Sequence, residues 1–109
     1  MTILNGNPAE DRNILILVAD DDESELSLIS VSLQGADHEV LTARDGDEAL
    51  QLIFDRRPDL ASQEFHMPRL TGHDVVRRIR ESRETHGIPV MLVSADAHEP
   101  ARESLDVSY

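Results

Sequence analysis

A doubly wound parallel α/β sheet is the fold class this sequence predicts, and three observations predict it. The runs Ile14 to Ala19 (ILILVA) and Pro89 to Ser94 (PVMLVS) are apolar almost without interruption, as strands are when helices cover both faces of a parallel sheet. Helix-capping patterns recur before amphipathic stretches, at Asp22-x-x-Glu25, Asp45-x-x-Glu48 and Thr71-x-x-Asp74. Strand-like and helix-like segments also alternate along the chain, which implies right-handed crossovers in one sheet. With 109 residues there is room for one domain and not for two.

Taken in order, residues 1–12 hold Asn5, Gly6, Asn7 and Pro8 followed by charges and read as a flexible leader, so the domain is expected over 13–109. The run from Ile14 to Ala19 is the central strand. Asp22 can accept from early helix amides and Glu25 can reach back, starting a helix whose apolar face is Leu26, Ile29 and Leu33 and whose terminator is Gly35. Glu39 to Ala43 reads as a short strand, and the next helix carries Ala49, Leu50 and Ile53 before Pro58 closes it off. Leu60 to Glu64 is the third strand, although Ala61, Ser62 and Gln63 are poor strand-core residues. A loop punctuated by Pro68 and Gly72 leads to a helix with Val75, Val76 and Ile79 inside and Arg77, Arg78, Arg80 and Arg83 on a solvated face. After the strand ending at Ser94, residues 95–104 leave space for a short helix at most, and Leu105 to Tyr109 alternate like a short edge strand.

Composition narrows the function. There are 22 Asp plus Glu against 10 basic residues, a net charge of -12, which opposes direct binding of nucleic acid or an anionic membrane and favours cations or basic partners. All ten basic residues are Arg, and Lys and Cys are absent, so thiolate metal sites are excluded. No apolar run approaches the roughly 20 residues of a membrane span, and the start of the chain is not a cationic signal peptide, so a cytoplasmic location is expected.

In such a sheet the functional site lies beyond the carboxyl ends of the strands, near the reversal of strand order. Three strands end suggestively, at Asp20-Asp21-Asp22, at Glu64 and at Ser94. If the first, third and fourth strands are neighbours, their carboxylates converge on one spot and need a cation or a retained proton, and oxygen ligands with access to water suit Mg²⁺. Asp22 doubles as a helix cap. His66 and Met67 read as loop packing.

The segments ILILVADDD, EFHMPRLTG and PVMLVSADA, with the alternation that joins them, resemble the receiver domain of two-component response regulators over about Asn13 to Glu103. That resemblance implies a flavodoxin-like, CheY-like sheet of order 2-1-3-4-5 and a role in phosphorelay signalling with a histidine kinase as partner, rather than an enzyme. Asp20 and Asp21 then match the acidic pair that helps bind Mg²⁺, and the His66 carbonyl matches the backbone metal ligand. Ser94 matches the hydroxyl that contacts phosphate. Glu64 falls on the phospho-acceptor position, where the family keeps an Asp, and there it also touches the metal. The family's fifth-strand Lys has no counterpart, and the fifth strand is expected to be missing or only a stub, leaving order 2-1-3-4. An open fourth-strand edge would then invite pairing with a second copy as a homodimer. These departures imply an atypical pseudo-receiver, truncated at its C-terminal end, that works as a protein-interaction module with phosphorylation impaired and Mg²⁺ binding weakened or lost. An alternative resemblance is to haloacid-dehalogenase-like Mg²⁺-dependent phosphatases, with Asp20 as nucleophile and Asp22 as acid/base.

Overall fold

The computed structural model describes residues 13–93 with their side chains and the backbone of residues 103–106. The expected leader, the space for a short helix after Ser94, and Tyr109 lie outside the described residues. Eight elements follow one another: β1 (Leu15–Ala19), α1 (Glu23–Gly35), β2 (Glu39–Ala43), α2 (Gly46–Arg56), β3 (Leu60–Glu64), α3 (Gly72–Glu81), β4 (Val90–Val93) and β5 (Glu103–Asp106).

β1 lies inside the sheet, as its apolar run requires: Leu17 pairs in parallel register with Leu41 of β2 on one side and Ala61 of β3 on the other. β4 continues the sheet beyond β3, again parallel, with Ala61 opposite Val90. The order is β2-β1-β3-β4-β5. The first four strands therefore stand in the predicted arrangement, and its reversal lies between β1 and β3. β5 is a stub of four residues that runs antiparallel to β4, pairing Val93 with Glu103 and Val90 with Asp106. Residues 94–102 are fewer than the dozen or so that a parallel crossover needs, so the chain returns along the neighbouring edge instead. This overturns the expected open edge: β4 has a strand on both sides, and the homodimer imagined through that edge loses its template. The stub also begins at Glu103, two residues before the alternation from Leu105 indicated.

Each face of the sheet carries its own core. On one side Leu17, Ala19, Ala61 and Val90 pack with Ala49, Leu50 and Ile53 of α2 and Val75 and Ile79 of α3. On the other, Ile16 and Val18 pack with Leu26 of α1, flanked by the half-buried Ile29 and Leu33. β3 forms although its residues have little strand propensity, because it is laddered to β1 and β4 and so satisfies both edges of its backbone. Ala61 and Gln63 face the α2/α3 core, and both are fully buried.

The arginine face of α3 is only partly a solvated face. Arg77 bridges Asp74 and Glu81 at the surface, but Arg80 donates from Nη1 to the carbonyls of His86 and Ile88, both at 2.8 Å. Together with Thr85, whose hydroxyl donates to the Ile79 carbonyl at 2.8 Å, it ties the turn after α3 to the helix and sets the entry to β4.

Candidate functional site

Three elements bring carboxylates to one point at the carboxyl end of the sheet. Asp20 follows β1 directly and is 5% exposed; Glu64 ends β3 and is also 5% exposed. Glu25, half-buried in the first turn of α1, completes the group, and one oxygen from each of the three lies within 4.8 Å of the others. Parallel pairing of β1 with β3 puts the ends of these two strands side by side, which is why residues 44 positions apart share a site.

Local hydrogen bonds fix the entrance to α1. Asp22 is its N-cap, accepting from Ser24 N–H at 2.9 Å and Glu25 N–H at 3.2 Å. Its own N–H donates to Asp20 Oδ1 at 2.9 Å, while Asp20 N–H donates to the Ala43 carbonyl at 3.0 Å. Asp20 is thus held by backbone on both sides. Asp21, between two anchored residues, is exposed and stands outside the three-carboxylate group.

On the far side, the segment after Glu64 is packed tightly against its neighbours. Phe65 N–H donates to the Val93 carbonyl at 2.7 Å, and Gly72 N–H returns to the Phe65 carbonyl at 2.8 Å. A Cβ at Gly72 would stand 3.0 Å from Phe65 Cα and 3.1 Å from the Glu64 carbonyl oxygen, so only glycine lets α3 start so close to the site. Beneath the loop, Gln63 Nε2 donates to the Glu64 carbonyl at 3.2 Å and contacts Met67 Sδ at 3.1 Å. His66 is exposed, its ring edge-on to Phe65 at 4.6 Å. Met67 is buried, as its reading as loop packing requires.

Crowded carboxylates perturb one another. A hydrogen bond with Asp20 is the largest influence on Glu25, followed by the Asp20 charge, burial, and the charges of Asp22 and Glu64, and together they push its carboxyl from 4.5 up to about 7.

Of the residues singled out from the sequence, the structure unites Asp20 with Glu64 and leaves Asp21 in solvent; Ser94 lies outside the described residues. Glu25 was legible only as a cap. Its sequence signal, a carboxylate one helical turn after an acidic strand end, is shared by ordinary helix starts.

Comparison with known proteins places this geometry. The profile of the response regulator receiver domain family matches residues 16–107. Protein PilH of Pseudomonas aeruginosa is 31% identical over 84 residues, covering 77% of this chain and 69% of that protein. The alkaline phosphatase synthesis transcriptional regulatory protein PhoP of Bacillus subtilis is 33% identical over 87 residues, 80% of this chain but 35% of that protein. The chain thus spans about a third of the length of such regulators. Among solved structures, the N-terminal domain of a response regulator receiver protein from Methanoculleus marisnigri superposes with a TM-score of 0.74 at 28% identity, over 80% of this chain and 71% of that one. On the strength of the family match and of the strand order, this chain belongs to the response regulator receiver domain family, whose members are signalling modules of two-component systems.

Proposed function

We propose that this chain is a receiver whose acceptor position has been altered, so that it serves two-component signalling as a protein-interaction module for a histidine kinase or another signalling protein, with phosphoryl acceptance impaired. The observation that carries this reading is Glu64, buried at the end of β3 beside Asp20, where the family keeps its acceptor Asp. A Glu carboxylate stands further out than that of Asp by about one carbon–carbon bond, roughly 1.5 Å. Misplacement of about 1 Å costs on the order of 100-fold in a reaction that depends on positioning. No Lys is present in the 109 residues to balance charge on a transferred phosphoryl group.

The donor set fits a hard divalent cation. It is all oxygen, and two of the three carboxylates are nearly sealed from solvent, where like charges repel strongly unless a cation or a proton intervenes. In this reading the family pattern assigns a weakened Mg²⁺ site to Asp20, Asp21, Glu64 and the carbonyl of His66. Bound there, the ion would neutralise charge on a phosphoryl group. The extended Glu64 carboxylate fills part of the space a phosphoryl group would take and so resembles the modified state. Asp22, the acid/base of the phosphatase alternative, is engaged as an exposed helix cap, and no observation favours that alternative.

Incubation with acetyl phosphate and Mg²⁺, followed by intact-mass spectrometry, tests the proposal. The expected result is an unchanged mass for the bulk of the protein. A stoichiometric acid-labile adduct on Glu64 would overturn it.

A further inference from the structure

A divalent cation is a property of the family, and the residues that would hold it in this chain follow from where its own carboxylates stand. We infer that Glu25 is a ligand of that cation, taking the place that the family pattern gives to Asp21. The inference rests on the reading that Mg²⁺ binds between Asp20 and Glu64.

Three observations converge on Glu25. It is the carboxylate that actually joins Asp20 and Glu64 within 4.8 Å, whereas Asp21 is exposed and lies outside the group. Next, Glu25 is excused from the usual work of its helix position. Three helices here carry an acidic residue three places after the N-cap. At α3, Asp74 reaches back to Thr71 N–H at 3.0 Å, and at α2, Glu48 reaches back to Arg44 N–H at 2.9 Å. At α1 Glu25 makes neither bond, and Asp22 N–H, the counterpart of Thr71 N–H, is taken by Asp20 Oδ1 at 2.9 Å. Glu25 turns instead toward Asp20. Finally, the group is not a surface accident of an acidic protein: Asp20 and Glu64 are each 5% exposed, and the side chains meet from β1, β3 and α1.

The arrangement has a chemical consequence. Three carboxylates around one divalent ion leave a net negative site, as the family's acidic pair and acceptor do, so placing Glu25 in the role of Asp21 keeps the charge count and moves the third oxygen from the turn after β1 to the first turn of α1.

Mg²⁺ titration of the full chain by calorimetry and by ¹³C NMR of the side-chain carboxyls tests this. Expected are a shift of the Glu25 carboxyl resonance that saturates with Mg²⁺, a loss of affinity of about tenfold or more in Glu25→Gln, and only a small change in Asp21→Asn. Glu25→Asp separates a ligand from a nearby charge: it keeps the charge but withdraws the oxygen, so it should weaken binding as Glu25→Gln does. If Glu25→Gln binds Mg²⁺ as the parent does while Glu64→Gln does not, Glu25 is no ligand and the cation reading stands without it. If Glu25→Asp retains full affinity, Glu25 acts only as a charge and the inference also fails. Absence of any Mg²⁺ binding by the parent chain overturns both the inference and the cation reading beneath it.

Discussion

The raised carboxyl of Glu25, at about 7 against an ordinary 4.5, ties this residue to the stability of the whole fold. In the unfolded chain the group loses its proton near 4.5, so between about pH 4.5 and 7 the folded protein holds a proton that the unfolded one has released. Its contribution to stability is full below that window and is lost as pH rises through the folded value. Thermal unfolding in cation-free buffer is therefore expected to show a melting temperature that falls from about pH 5 to about pH 8. Glu25→Gln, which cannot ionise, should flatten that slope, and coincident pH profiles for parent and variant would contradict the assignment. Gln63 presents a different residue-scale case. Its side chain is fully buried and its Oε1 has no partner among the described residues, although Nε2 is bonded. An orphaned buried acceptor costs about 1–3 kcal/mol, enough to offset the roughly 0.5–1.5 kcal/mol net that each bond of Nε2 contributes. Gln63→Met, of similar volume, is expected to leave urea-unfolding stability unchanged or raised by about 1 kcal/mol; a clear loss would show that the tether to the Glu64 carbonyl matters more than the orphaned oxygen.

Helices and strands were legible where periodicity and capping agree. β2 and β3 begin and end at the residues the sequence indicated, and all three helices start behind the expected caps. β3 was readable only from its place between turn signals and a loop, since Ser62 and Gln63 break the apolar pattern. What periodicity could not convey was direction: the alternation near the C-terminus marked a strand but not that it would run antiparallel to β4, which is set by the length of the connection. The site divides in the same way. Asp20 and Glu64 could be placed because they end strands, and strand ends converge in this topology. Glu25 could not, because whether an acidic side chain in a first helical turn reaches back or turns inward depends on which acceptor has already claimed the N-cap amide. Close approach of elements was likewise hidden. A Cβ on Gly46, at the start of α2, would lie 2.5 Å from Leu70 Cβ and 3.1 Å from the Leu70 carbonyl oxygen, whereas one on Gly35 meets nothing within 4 Å. Gly46→Ala should then destabilise by about 1–3 kcal/mol through overpacking against the loop that follows β3. Gly35→Ala should be neutral or stabilise by up to about 1 kcal/mol. Equal effects in chemical denaturation would mean that backbone entropy, and not the contact of α2 with the loop, governs both positions.

Charge dominates at the scale of the whole molecule. A net charge of -12 on 109 residues means that long-range repulsion opposes the compact state. The opposing ion pairs, such as Arg56 with Glu39 at 3.3 Å and Arg77 with Glu81 at 3.9 Å, join exposed partners and contribute only about 0–1 kcal/mol each. Salt screens both effects. Since repulsion acts over the whole surface and such exposed pairs are weak, adding NaCl should raise the melting temperature, most steeply below about 0.1 M where the Debye length still exceeds about 10 Å. Mg²⁺ acts through the same screening but should add a second gain of a different kind if it also occupies the site between Asp20, Glu25 and Glu64. At equal ionic strength, a free concentration about 100 times the dissociation constant would stabilise by about 2.7 kcal/mol beyond the screening effect. Glu64→Gln should abolish this excess while leaving the response to NaCl intact, because removing one charge of twelve hardly alters the long-range field. The comparison therefore separates a bound ion from an ionic atmosphere. If NaCl at matched ionic strength reproduces the entire gain from Mg²⁺, the ion is acting diffusely on an acidic surface and the three carboxylates do not form a binding site.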